Sequence, residues 1–574
     1  MANNNIVSPG IYINETDQSF LPDGIVEAGA ALVGPTVKGP SEIPTLVSSY
    51  NDYVAKFGDL LESSSSTFTF FTSTAAYNYF NNGGVSLLVS RVTPSAYTSA
   101  TSVVTGSAAS TNSFTLNTIS QGTDQNSEGT AANANGLFPS GSKNNVRYEI
   151  TNSNTASGAF TLTIRRGDDD DNNKIILEQY TNVTLDPFEP SFIGRRVGTQ
   201  RGTVALSGTA NAYVQVEGDY PNVSNYVYVA NILETPNYLD SEGNVRNSTF
   251  KDYLPQNTGI GAASKGFTSG TGALPAGAKF GKDIISSNIQ GVSGSDYTQS
   301  FYLLNDPQYK YTSLVAPGLN YANHSTELNI LLTNAKDRQD FIAVIDLGLY
   351  SATIGEVTSQ ATSINNSFAA SYYPWLNAND PASGRLNWAP PSTFIPGVYA
   401  YNDKVGEPWF APAGLNRGAL PTVNKTARSL TKANRDTLYE DKVNPITTFP
   451  NAGVVVFGQK TLQTKASALD RINVRRLLIN IKQFLDQQAG NIVFEANTIA
   501  TRNNFLAIVN PYLESVQQRQ GLYAFKVIMD ETINTPSVVD RNELVGQVYL
   551  QPTKTAEFII LNFNVQSTGA SFPE

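Results

Sequence analysis

The sequence predicts a multidomain protein of mixed α/β and α+β class. We expect an α/β core with an inserted all-β domain, a C-terminal α+β domain, and strand-exchanging arms at both termini. The length of 574 residues exceeds what one hydrophobic core usually holds. Apolar strand segments alternate with helical segments on both sides of a stretch rich in Ser, Thr, Asn and Gly. Each end of the chain carries a short apolar strand pattern without a local partner.

The two predicted arms comprise residues 1–25 and 556–574. An isolated strand cannot bury a face by itself, so each terminal strand must pair with another sheet. Addition to a sheet of a neighbouring subunit would satisfy the backbone hydrogen bonds of both arms. The residues assigned to these inter-subunit strands are Ile11, Tyr12, Ile13, Phe558, Ile560 and Phe563.

The predicted α/β core is formed by residues 26–93 and 186–415. Its first part contains an apolar strand, a helix near 67–80 and a strand at 85–92. Its second part has the order strand, helix, strand, which indicates a parallel βαβ unit. The elements of that unit are predicted at 314–316, at 325–338 with Ser325 as the helix cap, and at 341–345.

Two segments interrupt this core. Residues 94–185 carry several short β-type segments with turn signals between them and no helical periodicity, so they predict an inserted β domain. A glycine-rich insertion at about 230–300 has few apolar residues in its centre and predicts a surface loop or hairpin tip.

The C-terminal α+β domain is predicted at 416–555. Two long helical patterns lie near 466–488 and 498–518. Strand patterns follow at 523–529 and 544–550. We expect the helices to pack on these strands.

The composition points to self-assembly more than to binding of nucleic acid. Charged residues make up 15% of the chain, against roughly 25% in ordinary soluble domains. The 38 Lys plus Arg and 48 Asp plus Glu give a net charge of −10, without a basic cluster larger than a pair. A nucleic-acid partner would require a basic face, so the sequence argues against one.

Cysteine is absent, which excludes disulfides and thiolate metal ligands. The first residues lack the basic and apolar regions of a leader peptide, and the longest apolar runs are far shorter than the roughly 18 residues of a membrane span. We therefore expect folding in a cytosol and no direct insertion into a membrane.

Catalytic chemistry has few candidate residues. His324 is the only histidine, and its position directly before Ser325 predicts a loop histidine at a helix start and not a general base. Segment 277–283 comes nearest to a nucleotide-binding loop, but its glycine spacing is wrong and Asp283 replaces the required hydroxyl. We predict no enzymatic activity and no cofactor. A pair of separated carboxylates, as glycosidases use, stays open.

Four adjacent carboxylates lie in the predicted β insertion: Asp168, Asp169, Asp170 and Asp171. Their oxygens could hold a hard cation, but they lack the spaced ligands and the distal glutamate of a calcium loop. A solvated acidic turn is the favoured interpretation, and a metal site is the alternative.

A series of short motifs runs through the chain in a fixed order. The N-terminal motifs are Ser8-Pro9-Gly10-Ile11-Tyr12-Ile13, Val33-Gly34-Pro35, Lys38-Gly39-Pro40 and Phe80-Asn81-Asn82-Gly83-Gly84. The later motifs are Val315-Ala316-Pro317-Gly318, Arg338-Gln339-Asp340-Phe341, Tyr372-Tyr373-Pro374-Trp375-Leu376, Ile472-Asn473-Val474-Arg475-Arg476, Phe494-Glu495-Ala496-Asn497 and Ala556-Glu557-Phe558-Ile559. This series resembles the contractile tail sheath proteins of myovirus-type bacteriophages. One departure is Met529 before Asp530, where the family often has cysteine.

The resemblance implies a structural subunit of a virion, with the inserted domain of residues 94–185 facing outward. Such subunits polymerise as stacked hexameric rings around the tail tube, contact baseplate and tail terminator proteins, and contract to drive the tube through the host envelope. Assembly takes place in the host cytoplasm. Without a nucleotide motif, the energy of contraction is expected to reside in the assembly itself.

Alternative functions stay open at this stage. The chain could form the sheath of a phage-derived contractile injection system or a bacteriocin. A receptor-binding or capsid-decoration protein would also be β-rich and polar, but it would not need long C-terminal helices beside terminal arms. A tail-associated glycan hydrolase would need two carboxylates in a cleft.

The first C-terminal helix carries the residues that we predict to face the tube: Arg471, Arg475 and Lys482. These three lie on one stripe of the helix, away from its apolar face with Val474, Leu477 and Ile481. The resemblance implies that this domain lines the interior of the sheath, where weak ion pairs could hold an acidic tube and release it. An ordinary solvated face is the alternative. Arg476 points elsewhere and is expected to brace its own domain.

Overall fold

The structure is a computed structural model that describes residues 29–557, except for 64–65, 95, 109–110, 130–132, 134, 208–210, 259–264 and 451. The predicted strand residues of both arms therefore lie outside the described residues. The described part forms three packed units: a central domain, an inserted β domain and a C-terminal domain.

The strands are numbered in chain order. Those of the first half are β1 (Ala30–Gly34), β2 (Thr45–Val47), β3 (Leu61–Ser63), β4 (Ser66–Phe68), β5 (Leu87–Arg91), β6 (Ser99–Thr105), β7 (Asn112–Gln121), β8 (Val146–Asn154), β9 (Ala159–Arg166), β10 (Ile176–Thr184), β11 (Arg201–Ser207), β12 (Asn211–Glu217) and β13 (Val227–Ala230). Those of the second half are β14 (Ser313–Asn320), β15 (Ile342–Asp346), β16 (Ala369–Tyr373), β17 (Leu376–Asn379), β18 (Leu386–Ala389), β19 (Val423–Thr426), β20 (Asn444–Phe449), β21 (Gly453–Val456), β22 (Leu522–Ile528) and β23 (Gln547–Pro552).

The helices are numbered in the same way. They are α1 (Tyr50–Phe57), α2 (Phe71–Asn81), α3 (Ile193–Val197), α4 (Phe250–Tyr253), α5 (Thr298–Leu303), α6 (Ser325–Arg338), α7 (Ile354–Ser363), α8 (Ile395–Val405), α9 (Gly414–Arg417), α10 (Lys432–Glu440), α11 (Ile472–Gly490), α12 (Ile499–Gln518) and α13 (Pro536–Val539).

An eight-stranded sheet forms the centre of the molecule, in the order β2-β5-β1-β14-β15-β16-β20-β21. The six inner strands are parallel, and an antiparallel strand closes each edge. The inner strands are apolar on both faces because helices such as α2 and α6 cover the sheet. The predicted βαβ unit is confirmed: β14, α6 and β15 follow one another, and the two strands pair in parallel.

Two helix starts in the central domain differ from the prediction. Helix α2 begins at Phe71 and not near residue 67, because Ser66–Phe68 pairs with Leu61–Ser63 as a hairpin. Helix α6 is capped at His324, and Ser325 is its first helical residue. The prediction relied on the general preference for serine at the N-cap, and it therefore placed the cap one residue too late.

The inserted β domain is larger than the sequence predicted. Its buried core extends from Ala100 to Phe267, and β13 pairs with β7 far back along the chain. The predicted end at residue 185 is wrong, since α3 and β13 follow it and contribute to the same core. The intervening ribbon β11–β12 contacts α5 of the central domain. The end of the domain depends on the pairing of β13 with β7. Local composition does not reveal pairing between strands so far apart in the sequence.

The segment at 230–300 is not simply a surface loop. Leu254 and Phe267 are buried in the inserted domain, and Ile284 and Ile289 are buried in the central domain. A few apolar residues spread among glycines are enough to tie this tract to two cores.

The C-terminal domain packs α11 and α12 against the ribbon β22–β23 around its own apolar cluster. The predicted start at residue 416 lies too early in the chain. Strands β20 and β21 follow it, and both belong to the central sheet. Helix α11 begins at Ile472 and not near residue 466, after a short 3-10 turn at Ala468–Asp470.

Candidate assembly site

The residues predicted to face the tube lie at the contact between α11 and the central domain. Arg475 is only 4% exposed, and its Nη2 donates a hydrogen bond to Ser367 Oγ at 2.7 Å. Its guanidinium lies 3.9 Å from the centre of the Phe368 ring. Burial lowers the pKa of Arg475 to about 10. This arginine is a packed interdomain contact, held by a cation–π interaction and a charged hydrogen bond.

Lys482 also has its contacts within the chain. Its Nζ donates to Gln339 Oε1 at 2.6 Å and lies 5.9 Å from the centre of the Phe368 ring. Partial burial, together with the neighbouring charge of Arg475, lowers the pKa of Lys482. Both cations are therefore turned towards the central domain.

Arg471 precedes α11 and makes the most extensive ion pairs of the three. It binds Glu557 with two parallel hydrogen bonds, at 2.7 Å from Nε and 3.0 Å from Nη2. Its Nη1 lies 2.9 Å from Asp470 Oδ1. Arg475 is buried and Arg471 is half-buried, so the three do not form a row of exposed cations, although Lys482 is exposed. That these residues face the tube stays a prediction. The helical wheel identified the face that packs inside the domain, but a second face of α11 packs against the central domain.

Arg476 does act as a brace, but between domains. Its Nη2 lies 2.5 Å from Asp403 Oδ2, and its guanidinium lies 4.8 Å from the centre of the Tyr399 ring. Both partners belong to α8 of the central domain. With Arg475 and Lys482, this arginine fixes α11 to the central domain.

The ribbon β22–β23 is a candidate acceptor for a further strand. Among the described residues it has only two strands, so one edge of each strand carries no ladder partner. Its apolar side chains Phe525, Val527 and Leu550 pack towards α12, while Tyr523 and Tyr549 are 65% and 55% exposed. Further strands can pair with the free backbone groups at the edges of such a ribbon and extend it into a larger sheet.

The acidic run in the inserted domain is neither a solvated turn nor an arranged metal site. Asp169 is buried and binds Arg165 through two hydrogen bonds, at 2.7 and 3.0 Å. Arg147 lies 3.4 Å from the same carboxylate, and Asp171 lies 3.3 Å from Arg165. Asp168 pairs with Arg166 at 2.5 Å, and Asp170 caps a turn by accepting from two backbone amides. Arginines of β8 and β9, which are paired strands, neutralise the run.

His324 has a structural place. It is 4% exposed, its Nε2 lies 2.6 Å from the backbone oxygen of Ser286, and its Nδ1 lies 3.2 Å from the backbone nitrogen of Asn320. It joins segment 281–292 to the start of α6. In segment 277–283 a 3-10 turn, Gly281–Asp283, stands where a nucleotide-binding loop would lead into a helix.

The described part of the chain has neither a candidate metal cluster nor a candidate membrane-spanning helix. It contains no group of three or more His, Cys, Asp or Glu side chains placed to hold a metal ion. None of its helices combines the length and the apolar character needed to cross a membrane.

Two models of known protein families match consecutive segments of the chain, and α11 lies just after the border between them. Residues 290–462 match the phage tail sheath protein central domain, and residues 464–566 match the phage tail sheath C-terminal domain. Two phage tail sheath domains therefore lie in the second half of the chain. The border between the two matches falls between the central sheet and α11, where the interdomain arginines lie.

Relatives in the sheath family come from several phages. The chain is 34% identical to the tail sheath protein of Vibrio phage KVP40 over 383 residues, which is 61% of this chain and 55% of that protein. It is 36% identical to the tail sheath protein of Enterobacteria phage T4 over 232 residues, which is 40% of this chain and 35% of that protein. The alignments thus span about half or less of these sheath proteins.

Among solved structures, the sheath tail protein of Listeria innocua is similar to this chain with a TM-score of 0.50 and 10% sequence identity. The similarity covers 92% of this chain and 96% of that one. At this identity the comparison shows a similarity of fold alone.

Sequence reasoning missed the residues that gather around Arg471. Tyr439, Gln459 and Glu557 come from three separate segments, and all contact one another or Arg471. The one signal available was that Glu557 is the only charged residue between Lys554 and Glu574. A lone carboxylate before an apolar segment indicates a specific partner, but the sequence does not say which.

Proposed function

We propose that this chain is the structural subunit of a contractile tail sheath. Its copies would stack as hexameric rings around a tail tube, bind baseplate and tail terminator proteins at the two ends, and contract to drive the tube through the host envelope. The sheath would be assembled in the host cytoplasm, and the subunit would be a component of the finished virion. The proposal is supported above all by the C-terminal sheath domain with its open two-stranded ribbon.

In this proposal the subunits are joined by exchange of strands. The apolar segments around Ile11 and Phe558 would each add to the β22–β23 ribbon of a neighbour, one at each edge. Backbone hydrogen bonds of this kind do not depend on the angle between subunit bodies, so they can persist while the bodies rotate. A four-stranded sheet shared by three subunits would keep the lattice intact during contraction.

The surface chemistry suits such a lattice. Only 15% of the residues are charged, so large parts of the surface are expected to be neutral and polar. Neutral surfaces can be buried against copies of the same chain in two different arrangements without leaving unpaired charges. A structural and not an enzymatic role agrees with the names of the relatives.

Charge substitutions in the N-terminal arm test the proposal. In Ile11→Asp with Ile13→Asp, two carboxylates replace apolar side chains on one face of the donated strand, so the purified chain should stay monomeric and folded. Sedimentation velocity and electron microscopy report polymer, and circular dichroism reports folding.

The matched control is Asn4→Asp with Asn5→Asp, which adds the same charge to the same arm outside the strand pattern. The control should form sheath-like polymers as the unaltered chain does. Normal polymers from the Ile11 and Ile13 variant would refute the exchange of this strand.

A further inference from the structure

Glu557 is the last described residue before the C-terminal arm, and its carboxylate is bound on both oxygens. Oε1 accepts from Arg471 Nε at 2.7 Å and from Gln459 Nε2 at 3.0 Å. Oε2 accepts from Arg471 Nη2 at 3.0 Å and from Tyr439 Oη at 2.9 Å. We refer to Glu557, Arg471, Tyr439 and Gln459 as the Glu557 clip.

The clip is more than a surface ion pair. The side chains of Arg471 and Glu557 are 25% and 17% exposed, and they meet in the bidentate geometry that is the strongest for arginine and carboxylate. Partial burial alone would raise the pKa of Glu557. The hydrogen bonds from Arg471, Gln459 and Tyr439 outweigh it and hold this pKa below its usual value. The carboxylate is therefore charged and fixed in one orientation.

The partners of Glu557 do not belong to the segment that it ends. Tyr439 lies in α10 and Gln459 follows β21, both in the central domain, and Arg471 lies at the start of α11. Gln459 Nε2 also donates to Thr555 Oγ1 at 2.6 Å. Thr555 and Glu557 are thus held against the central domain, while Thr553 still donates to the backbone oxygen of Gly521 beside β22.

Two neighbouring charged residues make further contacts with members of the clip. Lys460 Nζ donates to the backbone oxygen of Tyr439 at 2.6 Å and lies 4.5 Å from the centre of its ring. Asp470 lies 2.9 Å from Arg471 Nη1. Both ends of the clip therefore have a second contact that limits their rotamers.

We propose that the Glu557 clip anchors the base of the predicted C-terminal arm, residues 556–574, to the central domain. This inference rests on the proposed strand exchange: a strand that links two bodies transmits force only if its base is fixed to one of them. The clip ties that base to the central domain and not to the ribbon. Arg471, predicted to hold the tube, would instead position the arm that reaches a neighbouring subunit.

The direct test measures the position of the arm. Because the chain has no cysteine, Ala556→Cys and Asp436→Cys introduce two unique sites for spin labels. In the monomer, electron paramagnetic resonance should give a narrow distribution of distances between the labels. Glu557→Gln removes the charge and keeps the shape, and it should broaden that distribution at least twofold.

Assembly gives the second readout. Glu557→Gln should keep the unfolding temperature of the monomer but slow polymerisation at least tenfold, because the arm searches more orientations. Tyr439→Phe removes one hydrogen bond and should have a smaller effect in the same direction, and it replaces Glu557→Gln if that variant fails to fold. Glu543→Gln, which removes the same charge elsewhere in this domain, should assemble at the normal rate.

The outcomes separate the two proposals. An unchanged distance distribution and normal assembly of Glu557→Gln would overturn the role of the clip, while assembly of the unaltered chain would still support the sheath. Failure of the unaltered chain to polymerise would count against the sheath function itself. Broadened distances with slowed assembly would support the clip.

Discussion

Arg475 carries a full charge into the contact between α11 and the central domain. Its guanidinium covers the Phe368 ring and its Nη2 reaches Ser367, so the side chain has little access to solvent. A buried cation of this kind stabilises the junction only while its partners stay in place. Its energetic role is therefore cohesion between two domains of one subunit.

Removal of this side chain should weaken the junction. For Arg475→Ala we expect a loss of about 2 to 3 kcal/mol in the free energy of unfolding, from the cation–π contact and the charged hydrogen bond together. Urea unfolding of the monomer measures it. Arg541→Ala is the control, because Arg541 pairs with Glu543 on the surface, and it should leave stability unchanged. Equal stability of both variants would contradict the interdomain role.

Asp346 predicts a dependence of stability on pH. It ends β15, and complete burial raises its pKa to about 7, although Ser392 donates two hydrogen bonds to the carboxylate, at 3.1 and 2.5 Å. The unfolded chain binds this proton with a pKa of about 4. The stabilisation from the proton is thus fully present below pH 4 and is lost as the pH rises through 7.

The measurement compares Asp346→Asn with the unaltered chain by urea unfolding at pH 5 and pH 8. The unaltered chain should lose about 3 kcal/mol more than the variant over this interval, since the asparagine cannot ionise. Asp540→Asn changes the same charge at an exposed position and should keep the unaltered slope. An identical slope in Asp346→Asn would mean that Asp346 is not protonated in the folded state.

At the residue scale the sequence predicted apolar contacts better than charged ones. Val474, Leu477 and Ile481 are buried as the helical period indicates. Arg475 was assigned to solvent because a helical wheel treats basic residues as exposed, and Phe368 is too remote in sequence to signal otherwise. Contacts between domains depend on packing that one helix does not reveal.

The inserted β domain is the element whose independence can be tested most simply. Its entry and exit lie side by side: the backbone nitrogen of Thr98 donates to the backbone oxygen of Thr271 at 3.0 Å, and their hydroxyls are 2.8 Å apart. The domain also has its own buried core. A short linker could therefore replace everything between these two residues without stretching the chain.

Replacement of residues 99–270 by a short Gly-Ser linker should leave the central and C-terminal domains folded. Scanning calorimetry should show one remaining cooperative transition, and the excised segment, expressed alone, should unfold cooperatively as well. Loss of any cooperative transition in the shortened chain would show that the inserted domain supports the central sheet.

Local patterns determined which elements could be predicted. The unit β14-α6-β15 followed from the order of apolar strand, amphipathic helix and apolar strand. The pairing of β7 with β13 was not predictable, because Leu116 and Val229 meet only through the fold. For the same reason β20 and β21 were assigned to the wrong domain. The ends of helices were uncertain by one to six residues where turns replaced the first helical turn.

At the scale of the whole molecule, the proposed sheath is a lattice that stores energy in its extended form. The described chain has a two-stranded ribbon and a Glu557 carboxylate bound by Arg471, and a 3-10 turn stands in segment 277–283. Contraction should then follow from the difference in contact between two arrangements of the same subunits.

The most direct measurement is electron microscopy of purified tails built from this chain, before and after brief exposure to urea or acid in a buffer free of nucleotide. The sheath should become shorter and wider in one step along its whole length, with the subunits still joined. Sheaths that keep their length, fall apart into monomers, or shorten only when ATP is added would contradict energy storage in the lattice.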